Sequence, residues 1–298
     1  MAYLGILNLI LSLFLAGFNL SPALHSNPDI LHLDPTASVF ELAADKGAVL
    51  DGSGRFFLFA KNADEIQPIA SITKLMTALV FLEHNPGWEV IYEITAADRV
   101  EGGRLNLFPG DQVTLKDLFY TALVASDNGA ALALTRASNL GEERFIIAMN
   151  EKAAALGLKA THFVDPIGLS ADNVSTAREV AFLAQAALNK PEIQEAVALP
   201  EYEFLTRGGR EKKIESTDYL LFDNSPGSLK ALGGKTGYTE SAGYCFVGRL
   251  RDQAGRELIS VVLNSSGLNE RFRESRALAE WVFDNYHRSA DAGSGQNR

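Results

Sequence analysis

Strand-like segments stand at both ends of this chain with a long helical stretch between them, and no other feature constrains the fold as much. Near the start, "KGAVLDGSGRFFLFAKNADE" reads as two strands joined by Asp51-Gly52-Ser53-Gly54, where glycine supplies the positive φ of a tight turn. From Ser71 to about Pro200 the pattern becomes mostly helical. Leu75, Ala78, Leu79 and Leu82 fall at helical spacing, and further helices are expected over Leu115–Ala125, Gly129–Ser138, Glu142–Leu156 and Thr176–Leu188. Strand signals return as "EYEFLT" and "KKIEST" about the turn Arg207-Gly208-Gly209-Arg210, then as "LGGKTGYT", "GYCFVGRL" and "ELISVVLN". A helix from Glu270 to Tyr286 closes the chain. The order implies an α/β chain of the α+β kind: one antiparallel sheet assembled from both termini, flanked by helices, with an inserted all-helical lobe. Residues 46–288 are expected to form one domain, with a sheet lobe of 46–70 and 200–288 and a helical lobe of 71–199. The groove between such lobes is where a site is expected.

Outside that domain, residues 1–26 hold an apolar run from Tyr3 to Leu20 that reads as a signal peptide or an uncleaved N-terminal anchor. It lacks the Lys or Arg that normally precedes such a run, so either the start lies upstream or the signal is atypical. Both readings send the remainder out of the cytoplasm, to a periplasm or cell surface. Residues 27–45 form a polar lead-in and 289–298 a polar tail. A net charge of −10 and pI near 5.1 argue against nucleic acid, whose binders need a basic face. One cysteine, Cys245, excludes an intrachain disulfide and reads as an inert buried thiol, and the five histidines offer no metal-binding spacing. No metal, nucleotide or flavin is called for.

Three short motifs carry the chemistry. In "PIASITKLMTALVFLE", Ser71 and Lys74 stand three residues apart on one helix face, so the amine can reach the hydroxyl within a turn. A serine hydroxyl needs a base to become a nucleophile, and a desolvated lysine near a second cation can have its pKa lowered enough to serve. "ASDNGAALALT" places Ser126, Asp127 and Asn128 at a turn opening a helix, where each could equally be an N-cap. "GGKTGYT" puts Lys235, Thr236 and Gly237 in a strand, where the plain alternative is a solvated edge with a bulge. Taken singly, each motif has an ordinary structural explanation. In this order, on helix, helix start and strand, those explanations lose to a shared one.

SxxK with SDN and KTG is the signature of penicillin-binding proteins and related β-lactamases. The sequence resembles the low-molecular-mass D-alanyl-D-alanine carboxypeptidases, also through "NADEIQPIASITKLMTA", "THFVDPIGL", "STARE" and "GGKTGYTESAGYCFVG", over roughly Ala48 to Tyr286. The resemblance implies a β-lactamase/transpeptidase-like fold and no cofactor. It implies that Ser71 attacks the peptide bond between the terminal D-alanines of a peptidoglycan stem peptide, with Lys74 as base and Ser126 relaying a proton to the leaving amine. Backbone amides of Ser71 and Tyr238 would form the oxyanion hole, Asn128 would bond the substrate amide, and Lys235 would hold Ser126 in register and add positive potential. Thr236 and Arg271 would take the terminal carboxylate, with Arg273 and Arg276 as alternatives to Arg271. β-Lactams would acylate the same serine. His162 in "THFVDPIGL" is expected to be structural.

The chain departs from the family's pattern in two ways. Asp127 stands where many of these carboxypeptidases have glycine, a choice shared with the β-lactamases. Many relatives also carry a second, all-β domain and an amphipathic tail, for which "YHRSADAGSGQNR" leaves no room, so any membrane attachment would come from the N-terminal segment. Three other readings stay open. A DD-endopeptidase would use the same residues on cross-links. A class A β-lactamase would add a glutamate in ExxLN, but the nearest string, Gln185 to Asn189, has an amide in its place. A non-catalytic β-lactam sensor or cell-wall binder would have no reason to keep the full proton-transfer chain.

Overall fold

The computed structural model describes residues 31–100, 106–223 and 229–288. The expected signal or anchor over 1–26 and the tail over 289–298 lie outside them. The chain divides into two units. In one, Leu31–Leu33 pairs antiparallel with Tyr286–Arg288. The other, Thr36–Asn285, carries everything described below.

Five antiparallel strands form the main sheet in the order β5-β6-β7-β1-β2, with β1 at Lys46–Asp51, β2 at Phe57–Lys61, β5 at Lys230–Thr239, β6 at Gly243–Arg251 and β7 at Glu257–Ser265. The two ends of the chain meet where β7 pairs with β1, Ile259 opposite Leu50 and Val261 opposite Ala48. The α+β architecture expected from the sequence is therefore the one found. Strand β7 is buried on both faces, which is why "ELISVVLN" reads as a run rather than an alternation. Ile259, Val261 and Leu263 enter the main core, while Ser260 accepts a 3.0 Å hydrogen bond from Ser275 of the C-terminal helix.

The helices are α1 (Lys74–Glu83), α2 (Leu115–Val124), α3 (Asn128–Ala137), α4 (Glu142–Ala155), α5 (Ala177–Leu188), α6 (Pro191–Val197) and α7 (Glu270–Asn285). Local chemistry starts several of them. Thr114 and Asp117 make a reciprocal capping box on α2, Asp127 caps α3, Thr176 caps α5, and Pro191 opens α6, where its missing N–H costs nothing. Helix α1 is not amphipathic: every residue from Lys74 to Phe81 is buried. A helix enclosed on all sides is a fixed axle, so a residue at its mouth inherits that rigidity.

Two boundaries differ from the sequence reading. The lead-in joins the compact unit from Thr36, because Leu42 and Ala44 are buried and their carbonyls accept from the Lys61 ammonium at 2.7 and 2.9 Å. The hairpin of β3 (Glu201–Leu205) and β4 (Glu211–Glu215) is a separate two-stranded sheet outside the main one. It packs instead on α2, where the Tyr202 ring lies 4.5 Å from that of Tyr120 and its hydroxyl donates to Asp117 at 2.8 Å. Among the described residues, no helix is long and apolar enough to cross a membrane.

Candidate active site

The nucleophile candidate sits in a 3-10 turn, Ala70–Thr73, that runs straight into α1. Ala70 adopts φ +47°, a left-handed conformation that a non-glycine residue holds only when its surroundings impose it. Ser126 does the same, at φ +58°, just before α3. Both strained residues turn a serine into the same cleft of about 300 Å³, lined by Ser71, Ser126, Asn128, Thr236, Gly237 and Arg271, with Tyr219, Tyr238, Leu169 and Leu268 at its rim.

Within it the Lys74 ammonium donates to Ser71 Oγ at 2.8 Å, to Asn128 Oδ1 at 2.7 Å and to the Ile167 carbonyl at 2.7 Å. Its position is thus overdetermined by three elements. Burial lowers its pKa to about 7, against the opposing pull of Asp127 and Asp165. An amine with that pKa is partly neutral at physiological pH and already touches the hydroxyl whose proton it would take. Opposite it, Lys235 Nζ donates to Ser126 Oγ at 2.6 Å and to the Thr236 carbonyl at 3.1 Å. Burial, then Lys74 and Arg271, hold Lys235 well below the usual lysine range, with Asp218 opposing.

The three motifs meet because glycines allow close approach. A Cβ on Gly237 would lie 2.7 Å from the Ile69 carbonyl oxygen and 3.3 Å from Ser71 N, so only glycine lets β5 press against the serine turn. The loop bringing Ile167 to Lys74 is built by Asp165, whose carboxylate accepts from the Ile167 and Ser170 amides at 2.8 Å each. Asn173 braces it, donating to the Asp165 carbonyl at 2.9 Å and accepting from Val164 N at 2.8 Å.

Asp127 is the helix cap that the plain reading of its motif expected. One carboxylate oxygen accepts from Ala130 N at 2.8 Å, and the other accepts from Asn106 N and Nδ2 at 3.1 and 2.9 Å. Its neighbours on either side face the cleft. Because Asp127 is 2% exposed, Asp127→Ala strands three donors, and a loss of about 2–3 kcal/mol in urea unfolding is expected.

Among the three candidate arginines, Arg271 lines the cleft, 6% exposed, with its guanidinium donating to the Gly237 carbonyl at 3.1 Å. Arg273 pairs with Glu270 and Arg276 with Asp223. His162 is exposed and its backbone pairs with Val174. Cys245 is fully buried, its thiol pushed up to about 11 by burial and thus uncharged. Gln185 lies on α5 against the β1–β2 turn at Gly54, and no carboxylate lines the described cleft. Sequence reasoning missed Thr217, whose hydroxyl lies 2.7 Å from that of Thr236, and the buried Asp218 beside it. Neither carries a local signature.

The profile of the D-alanyl-D-alanine carboxypeptidase family, peptidase S11, matches residues 34–267. The chain belongs to that family. Its relatives within and around the S11 carboxypeptidases differ in what their names say they do. A D-alanyl-D-alanine endopeptidase of Pseudomonas aeruginosa is 34% identical over 246 residues, covering 81% of this chain and 78% of its own. The DD-transpeptidase of Streptomyces K15 superposes with a TM-score of 0.75 at 27% identity, over 83% of this chain and 100% of its own. Penicillin-binding protein D2 of Listeria monocytogenes, solved with cefotaxime bound, superposes at 0.70 and 32% identity, over 83% and 99%. The β-lactamase/transpeptidase-like fold is thus shared by an S11 chain and enzymes named for different acceptors.

Proposed function

We propose that this protein is a serine DD-carboxypeptidase that removes the terminal D-alanine of peptidoglycan stem peptides outside the cytoplasm. The observation that carries the reading is the 2.8 Å contact between Ser71 Oγ and a buried Lys74 amine whose pKa is lowered to about 7. Neutral Lys74 takes the Ser71 proton as Oγ bonds to the carbonyl carbon of the penultimate D-alanine. Negative charge on the carbonyl oxygen falls to the backbone amides of Ser71 and Tyr238. As the C–N bond breaks, Ser126 passes its proton to the departing nitrogen and is reprotonated with the proton that Lys74 took from Ser71, which leaves Lys74 neutral again, Lys235 holding the Ser126 hydroxyl in place. D-Alanine leaves with its carboxylate released from Thr236 and Arg271, whose fork suits a carboxylate. Water then attacks the ester, giving a proton to Lys74, and the serine is restored.

The endopeptidase relative favours a second reading, in which the same acyl-enzyme forms on a cross-link. The two differ only in the leaving group. Absence of a carboxylate along the described cleft supports a slow exit for a bound β-lactam, since no acid stands ready to activate water. The test is incubation with diacetyl-Lys-D-Ala-D-Ala and, separately, cross-linked muropeptides, with Ser71→Ala as control. Free D-alanine that vanishes in Ser71→Ala, together with a stable penicillin adduct on the wild type, is expected. Cleavage of muropeptides alone would move the assignment to the endopeptidase, and rapid penicillin turnover would move it to a β-lactamase.

A further inference from the structure

Arg271 lines this cleft, and two further buried cations, Lys74 and Lys235, and one buried acid, Asp218, stand behind its lining. Lys74, Lys235 and Arg271 are 1%, 1% and 6% exposed, and Asp218 is 2% exposed. Asp218 caps the short turn Tyr219–Phe222, one carboxylate oxygen accepting from Leu220 N at 3.0 Å. Capping uses that oxygen only. The other, Oδ2, has no hydrogen-bond partner among the described residues, and neither has Arg271 Nε. A buried polar atom left unbonded is costly, and an acid is a poor choice for a cap alone when asparagine caps as well.

The charged groups acting on Asp218 are Arg271 from α7 and Lys235 from β5, while Lys74 of α1 acts on Lys235 and Tyr219 is next to Asp218 in its own turn. The preceding residue ties this turn to the strand, Thr217 Oγ1 lying 2.7 Å from Thr236 Oγ1. In so dry a site a carboxylate acts on an ammonium without touching it, because little water screens the field. We propose that Asp218 is a positioning residue: its carboxylate is the counter-charge that retains the proton of Lys235 and so keeps the cleft cationic for a substrate carboxylate. This rests on the D-Ala-D-Ala reading above and adds what sets the charge of that site. Burial, Lys74 and Arg271 drive the proton of Lys235 away, whereas the charge of Asp218 pulls it back. Burial raises Asp218 itself to about 7, so the counter-charge fades as pH falls through neutrality.

The test compares wild type, Asp218→Asn and Asp218→Glu. Asparagine keeps the cap acceptor and the volume but loses the charge, and glutamate restores the charge. kcat and KM are measured from pH 5.5 to 9 on diacetyl-Lys-D-Ala-D-Ala and on the same peptide ending in a carboxamide, with the second-order rate of acylation by benzylpenicillin alongside. For Asp218→Asn, KM on the carboxylate peptide is expected to rise about tenfold at pH 8, with KM on the amide unchanged. Its alkaline limb of kcat/KM should move acidward by about one unit, and Asp218→Glu should recover both at an unchanged Tm. Equal losses on both peptides, an unmoved limb, or a lower KM in Asp218→Asn would overturn the assignment. If wild type releases neither D-alanine from the acid nor D-alaninamide from the amide, the carboxypeptidase reading fails and penicillin decides. Slower acylation of Asp218→Asn then upholds the counter-charge, and equal rates, or no acylation of wild type, remove it.

Discussion

Lys74→Met is expected to cut kcat/KM for D-alanine release by roughly a thousandfold or more, while the protein stays folded. Methionine keeps an unbranched side chain at the same buried position but cannot accept the Ser71 proton. Two structural consequences oppose each other. Asn128 Oδ1 and the Ile167 carbonyl lose their donor, at about 1–3 kcal/mol. Against that, a buried amine is removed whose folded pKa, about 7, lies below the 10.5 of a free lysine. The unfolded chain binds that proton more tightly, so Lys74 destabilises the fold increasingly as pH falls from 10.5 towards 7, and methionine lifts the penalty. Melting followed by circular dichroism should therefore move by only a few degrees as kcat/KM collapses. Wild type should show an acid limb of kcat/KM that rises through about pH 7 as Lys74 loses its proton. A variant keeping a tenth of the rate, or an acid limb far from neutrality, would mean that another group is the base.

What was legible in the sequence and what was not divide along chain distance. Ser71 and Lys74 are three residues apart, so their contact follows from helix geometry alone, and the three motifs were readable as an ordered set. Their meeting partners were not. The Ile167 carbonyl reaches Lys74 across 93 residues, and a backbone oxygen has no residue type to give it away. Thr217 ends the strand-like string "KKIEST" and Asp218 follows it with no signal of its own, and only the fold carries them to β5. Gly237 reads in the sequence as a bulge and Gly168 carries no signal of its own, whereas the use of both is close approach to the serine turn. The β3–β4 hairpin was recognised as a hairpin from its alternation and its Gly-Gly turn. Its docking on α2 rather than the main sheet depends on the Tyr202–Tyr120 contact, which alternation cannot reveal. Helix α1 showed a helical spacing of leucines, but burial on every side came from what surrounds it. Short α6 escaped because seven residues give too little periodicity to separate from a loop.

Gly168→Ala should be the most damaging exchange of a single hydrogen for a methyl group. Gly168 has φ +83°, and a Cβ there would stand 2.1 Å from the Ala70 carbonyl oxygen and 2.9 Å from Ser71 N. Those are backbone atoms, and Ala70 is already held at φ +47°, so the serine turn has no relaxed direction to yield in. The loop must move instead, and it carries the Ile167 carbonyl that aims Lys74. A shift of about 1 Å at a reacting pair costs on the order of a hundredfold in rate, and strain with lost contacts should lower stability by about 3 kcal/mol, or roughly 6–12 °C in Tm. Gly255→Ala separates the two causes. Gly255 has nearly the same φ, +82°, but nothing within 4 Å of its Cβ position. It should lose about 1 kcal/mol and keep full activity. If both variants lose the same stability and neither loses rate, left-handed backbone strain explains everything, and the contact between the Gly168 loop and Ala70 is not what holds Lys74 on Ser71. If only Gly168→Ala loses rate, the aim of the base is set by a glycine that takes no part in the chemistry.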